Sequence, residues 1–213
     1  MYPHRACLAL ACVLTCLAAA TVAPADAAWQ SLFDGQSLAG WRASDAPGTF
    51  AVVNGELVAH GARSHLFYEG PVAAHDFRNF EFMAEVLTRP HANSGVYIHT
   101  QFQEVGWPSR GYEVQINNSH SDPSRTGGLY GILTNLVAPA ADDQWFTMYI
   151  RVTGKHILVR INDQVISDYV EPEHAERPPE FKDRLLSHGT FALQGHDPDS
   201  ETHFRHIRVR LLP

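Results

Sequence analysis

The chain has 213 residues, a formal net charge of −7 at neutral pH and only three cysteines against 13 histidines. An acidic balance disfavours nucleic acid and anionic membrane as partners. The length suits one domain with a sizeable core.

In chain order, the first feature is an export signal. Arg5 supplies a positive start, Leu8 to Ala23 form an uncharged apolar stretch, and Ala25-Asp26-Ala27 is a small-x-small cleavage pattern. The stretch is short for a membrane anchor. Residues 1–27 are therefore expected to be a signal peptide, and 28–213 a single domain working in the periplasm or outside the cell. Cys7, Cys12 and Cys16 all lie in the leader, so the mature part is expected to have no disulfide and no thiolate chemistry. Beyond the leader no other apolar run is long enough to predict a membrane span.

The rest of the chain alternates with a period of two. Phe80, Phe82, Ala84 and Val86 face one way, and Val96 and Ile98 repeat the pattern. Phe146, Met148, Ile150 and Val152 alternate with Trp145, Thr147, Tyr149 and Arg151. Gly154-Lys155 and Asn162-Asp163 are two-residue hairpin signals around Ile157, Val159 and Ile161. Ile207, Val209 and Leu211 close the series. Many short strands with Gly and Pro turns predict an all-β antiparallel sandwich or barrel. Three polar connections are long: 103–110, 117–128 and 170–188, the last with a helical turn expected around 179–186. Long loops on a β scaffold are where binding usually resides.

Three strands carry an unusual second face. Glu113, Gln115 and Asn117 alternate against Tyr112, Val114 and Ile116. Tyr97 and His99 lie opposite Val96 and Ile98, and Gln194 shares a face with His196. One face of an antiparallel sheet is often simply wet. A merely solvated face favours Lys, Glu and Thr, however, whereas planar amides, carboxylates and imidazoles both donate and accept in fixed geometry, as sugar hydroxyls require. Trp107 on a neighbouring loop offers a ring to cover an apolar sugar face. His99, His120 and His196, on or beside this face, are candidate bases. Glu113, His99, His120 and Asp122 carry ligand-type side chains, although their spacing matches no recognised metal motif.

Other chemistries are absent from the sequence. It has no Gly-x-Ser-x-Gly elbow, phosphate loop or dinucleotide fingerprint. A retaining glucanase needs two carboxylates a few ångströms apart. Here Gln115 follows Glu113 on the same strand face, and Glu81 and Glu85 on another strand suit a solvated face.

Five motifs in order resemble a known family: Leu32 to Trp41, Asn93-Ser94-Gly95-Val96-Tyr97, Gly111 to Ile116, Thr126 to Gly131, and Leu193-Gln194-Gly195-His196. Over residues 30 to 212 the chain is similar to the 3-keto-disaccharide hydrolases, also described as 3-keto-glucoside lyases and 3-keto-glucal hydratases. The resemblance implies a concanavalin-like jelly-roll sandwich of the lectin and glucanase type, with glucosides oxidised at C3 as the small saccharide substrate. Two positions depart from the family pattern. His99 stands where Arg is usual, which bears on substrate choice, and Arg205-His206-Ile207 stands for the usual Arg-Asn-Ile.

A C3 ketone acidifies the C2 proton, so a base can remove it, the C1 aglycone can leave by β-elimination, and water can add back. The resemblance thus implies His99 or Glu113 as base and Tyr130 or His196 as acid. Asn93, Gln115 and Gln194 would orient hydroxyls, with Tyr97, Trp107 and His120 also in contact with the sugar. A divalent metal cation on the ketone, held by Glu113 and His99, would add Lewis-acid help. The alternatives are a non-catalytic, lectin-like carbohydrate-binding module and a conventional glycosidase.

Overall fold

A computed structural model of the protein describes residues 28–213; the expected leader, with Cys7, Cys12 and Cys16, lies outside the described residues. Thirteen strands follow in order: β1 (Gln30–Ser31), β2 (Trp41–Ala43), β3 (Phe50–Val53), β4 (Glu56–His60), β5 (Ser64–Tyr68), β6 (Phe80–Thr88) and β7 (Ser94–Thr100). They continue with β8 (Tyr112–Ile116), β9 (Phe146–Thr153), β10 (His156–Ile161), β11 (Gln164–Val170), β12 (Thr190–Gly195) and β13 (Glu201–Leu211). The described helical segments are short 3-10 turns, one of them Pro179–Phe181 inside the third long connection. None of the described helices is long and apolar enough to cross a membrane.

The strands form two antiparallel sheets. The larger runs β11-β10-β9-β6-β13-β4-β3, with β1 also on β13, and the smaller runs β2-β5-β12-β7-β8. The alternation seen in sequence explains why they stack. Phe80, Phe82, Met148, Ile150, Val159 and Val209 of the large sheet meet Leu66, Val96, Val114, Ile116, Phe191 and Leu193 of the small one in one buried cluster. Period-two strands each bury one face, and two such faces pack as a sandwich. The 162–163 hairpin follows its signal, since Asn162 and Asp163 both take positive φ, as a tight primed turn requires.

Several strand pairs shift register, among them β13 on β6 between Arg205 and Arg208, and the shift in β7 bears on the site. Thr190 pairs with Thr100 and Ala192 with Tyr97, so β7 spends three residue steps where β12 spends two. His99 takes up the extra residue with a φ of +53°. A bulge of this kind re-aims the side chain at the irregular position. Instead of sharing the face of Tyr97, His99 turns toward Phe80, with ring centroids 5.7 Å apart.

The small sheet therefore has two buried faces. One joins the main core, and the other carries Phe67, Tyr97 and Ala192 in a separate cluster under Phe102. The three long connections cover this second face and wall off a pocket.

Candidate active site

The pocket has a volume of about 430 Å³, within the range of small-molecule sites. Its floor comes from the small sheet. Tyr97 and Glu113 are directly paired across β7 and β8, as are Gly95 and Gln115, while β12 contributes Gln194. The loops supply Trp107, Asp122, Tyr130, Phe181 and Arg184, and His196 enters just beyond β12.

Glu113 is the centre of the floor and is only 5% exposed. Its carboxylate accepts from Tyr97 Oη at 2.7 Å, from Gln194 Nε2 at 2.8 Å and from Arg184 Nη2 at 3.4 Å. Burial raises the Glu113 pKa above the usual carboxylate value, against the opposing pull of Arg184. Gly95 makes room for this carboxylate: a Cβ there would lie 2.8 Å from Glu113 Oε1. Burial also lifts Tyr97 well above the ordinary phenol range, with Glu113 adding to the effect. Tyr130 is raised too, by burial first and then by Asp122 and Glu113. Both phenols thus hold their protons at neutral pH.

Beside Glu113, Gln115 Nε2 donates to Asn93 Oδ1 at 2.7 Å, and Asn93 reaches His120 Nδ1 at 3.4 Å. His120 itself receives the Asp122 amide at 3.0 Å. His196 lies between aromatic neighbours, 5.3 Å from the Trp107 ring and 5.5 Å from His120. Three buried polar atoms of the pocket residues have no partner: Gln115 Oε1, Gln194 Oε1 and Arg184 Nη1. Leaving such groups unpaired costs roughly 1–3 kcal/mol each. Together they offer two acceptors and a charged donor to a polyhydroxylated ligand.

The structure brings Asn93, Tyr97, Trp107, Glu113, Gln115, Tyr130, Gln194 and His196 to one pocket, with His120 touching two of them. It does not bring His99. Its Nε2 lies 2.9 Å from the Arg78 carbonyl, and its Nδ1 accepts from the Ser187 amide at 3.2 Å. Burial lowers its pKa to about 4. The expectation that His99 serves as base, or joins Glu113 in holding a metal, is corrected by the bulge and these two occupied nitrogens. Among the described residues, the group that gathers three metal-type ligands is His120, His196 and Asp197 instead.

Sequence reasoning missed Arg184, which lies in the connection after β11 with no periodic signal. It crosses 5.4 Å over the Tyr97 ring and 5.3 Å over that of Phe181. Glu171 roots this connection: it accepts from Lys155, from Tyr112 Oη at 2.6 Å and from the Leu186 amide at 2.6 Å. Of the two loop carboxylates that border the pocket, Asp122 was among the ligand-type residues of the sequence and Glu180 was not.

A comparison with curated proteins found no match. Among solved structures, a candidate glycosyl hydrolase from Parabacteroides distasonis is 18% identical, covering 87% of this chain and 94% of its own, with a TM-score of 0.73. A second from the same organism is 24% identical, covering 87% and 100%, with a TM-score of 0.66. A carbohydrate-binding module from Bacillus subtilis is 11% identical over 80% and 95%, with a TM-score of 0.57. At these identities the likeness is one of fold. The family comparison reaches further: residues 28–210 match the 3-keto-alpha-glucoside-1,2-lyase-like domain, and the chain belongs to this carbohydrate-active family.

Proposed function

We propose that the pocket cleaves glycosides bearing a ketone at C3 of the sugar, by removal of the C2 proton, loss of the C1 aglycone and addition of water to the resulting glucal. The observation that carries this reading is the buried Glu113 carboxylate beside an Arg184 nitrogen that has no partner. Burial makes the carboxylate a stronger base than a solvated one. As the C2–H bond breaks, its electron pair moves into the C2–C3 bond and negative charge gathers on the C3 oxygen. Arg184 Nη1 is the free donor suited to that oxygen. Tyr130, which keeps its proton, supplies it to the departing C1 oxygen. Asn93, Gln115 and Gln194 hold the remaining hydroxyls, with Trp107 along a ring face.

Water then adds a hydroxyl at C1 and a proton at C2, giving the free 3-keto-sugar. The leader pattern of residues 1–27 supports work outside the cytoplasm. A second reading, direct hydrolysis by two carboxylates, is favoured by Asp122 in the same pocket.

The test uses a nitrophenyl 3-keto-glucoside, in α and β forms, and follows nitrophenol release. The wild-type protein is expected to release it, and Glu113→Gln to be slower by about 10²–10⁴-fold. Turnover of the unoxidised glucoside instead would install the two-carboxylate reading. Sugar binding without turnover of any of these compounds would leave a binding module.

A further inference from the structure

Outside the Glu113 cluster, the pocket rim gathers a second set of chemical groups. His120 comes from the connection after β8, and His196 and Asp197 from the short link between β12 and β13. Their donor atoms all lie within 4.8 Å of one another. Asp197 and His120 are held in place by neighbouring groups. Asp197 accepts from the Asp199 amide at 2.8 Å and from Ser200 Oγ at 3.1 Å, and that hydroxyl also receives the Asn93 amide at 2.9 Å. The His120 amide donates to Asn117 Oδ1 at 2.9 Å. Backbone-anchored partners of this kind are what fix metal ligands in place.

We propose that His120, His196 and Asp197 bind a divalent first-row transition ion at the pocket rim. Two imidazoles and one carboxylate suit zinc, cobalt, nickel or manganese, whereas calcium and magnesium take all-oxygen sites. His196 Nδ1 and Asp197 Oδ2 lie 2.5 Å apart, and the ion would stand between these two atoms. Nitrogen and oxygen donors about 2.0–2.2 Å from an ion lie farther apart than this pair and closer than 4.8 Å. Side-chain rotation opens the pair and draws in His120, whose ring gives up the Asp122 amide on Nδ1 to free a nitrogen for the ion. All three residues are only partly buried, which leaves coordination positions open, and His196 lines the pocket. A sugar oxygen in one of them would be polarised; that consequence rests on the proposed chemistry, whereas the ion site does not.

Trp107 supplies the readout, since its ring lies 5.3 Å from that of His196. Tag-free, chelator-treated protein would be titrated with Co²⁺ alone, with no sugar present. The expected result is saturable quenching of tryptophan fluorescence at one ion per chain. In Trp107→Phe the quenching should fall while calorimetry with Zn²⁺ still gives one site. His196→Asn and Asp197→Asn should each weaken binding by about 10–100-fold, with unchanged circular dichroism. Affinity should rise from pH 5.5 to pH 8, because protons compete for the ligands. No saturable binding by millimolar Co²⁺ would overturn the proposal, as would equal binding by both substituted chains. Because no sugar is used, a failure of the cleavage chemistry cannot be mistaken for either result.

Discussion

The sandwich has two polar outer faces, and they differ in kind. On the large sheet Glu81 takes Tyr149 Oη at 2.7 Å and pairs with Arg210. Nearby, Glu85 pairs with Arg205 and His206, and His203 lies between Glu56 and Glu201. Glu81 is buried beneath this network, but the Glu85 pairs stand at the water boundary, where the His206 side chain is 68% exposed. On the small sheet Gln115 and Gln194 are 1% exposed, and a lone carboxylate is held by a phenol, an amide and a guanidinium. The first face has solvent to complete its hydrogen bonds. The second is roofed by loops, so every polar atom on it needs a partner or a ligand. What distinguishes a binding face from a wet one is therefore the cover above the strand as much as the residues upon it.

Three experiments sharpen that contrast. The largest effect is expected from Gly95→Ala, which places a methyl 2.8 Å from Glu113 Oε1. If the roofed face depends on placing that carboxylate, 3-keto-glucoside cleavage should fall about 10²-fold, the usual cost of a misplacement near 1 Å. Thermal melting should register only a loss of about 1–3 kcal/mol from crowding. Retention of full rate would show that the carboxylate has slack.

The second effect is on pH. His65 lies on the roofed face, edge-on to Tyr97 and Trp107, and neither ring nitrogen has a partner. Burial lowers its pKa to about 3, as it lowers that of His99 to about 4. Below about pH 6.5 the unfolded chain takes up protons that these folded rings refuse, so stability must fall as pH falls. Urea unfolding at pH 7 and pH 5 should differ by about 2 kcal/mol for each ring. His65→Phe should remove its share of the difference. An unchanged slope would mean that water reaches the ring.

The smallest effect is expected on the wet face. Arg205→Ala breaks the pair with Glu85 at 2.6 Å and uncovers Trp145, 4.0 Å from the guanidinium. Exposed pairs of this type contribute about 0–1 kcal/mol, and cleavage should not change. A large loss of activity would mean that the two faces are coupled through the core.

The alternation of Phe80 to Val86 and of Phe146 to Val152 was enough to read an antiparallel sandwich or barrel, because burial of one face per strand is a local property, and the family motifs chose the sandwich. The same counting located Glu113, Gln115 and Gln194, whose strands alternate without interruption. It failed at His99, since period-two counting assumes no inserted residue and the bulge adds one. It also failed at Arg184, whose loop reaches the pocket only through chain folding. Arg184 and the loop carboxylate Asp122 follow from tertiary placement, which a strand pattern does not encode.

The root of the loop that carries Arg184 limits how the protein can be re-engineered. Glu171 is 3% exposed, and its hydrogen bonds come from a hairpin residue, a strand residue and the far end of its own loop. Shortening residues 172–187 to make a leaner sandwich would therefore strand a buried acid rather than trim a surface ornament. A graft that moves this loop to another scaffold would have to carry Glu171, Lys155 and Tyr112 with it, as one module with three attachment points.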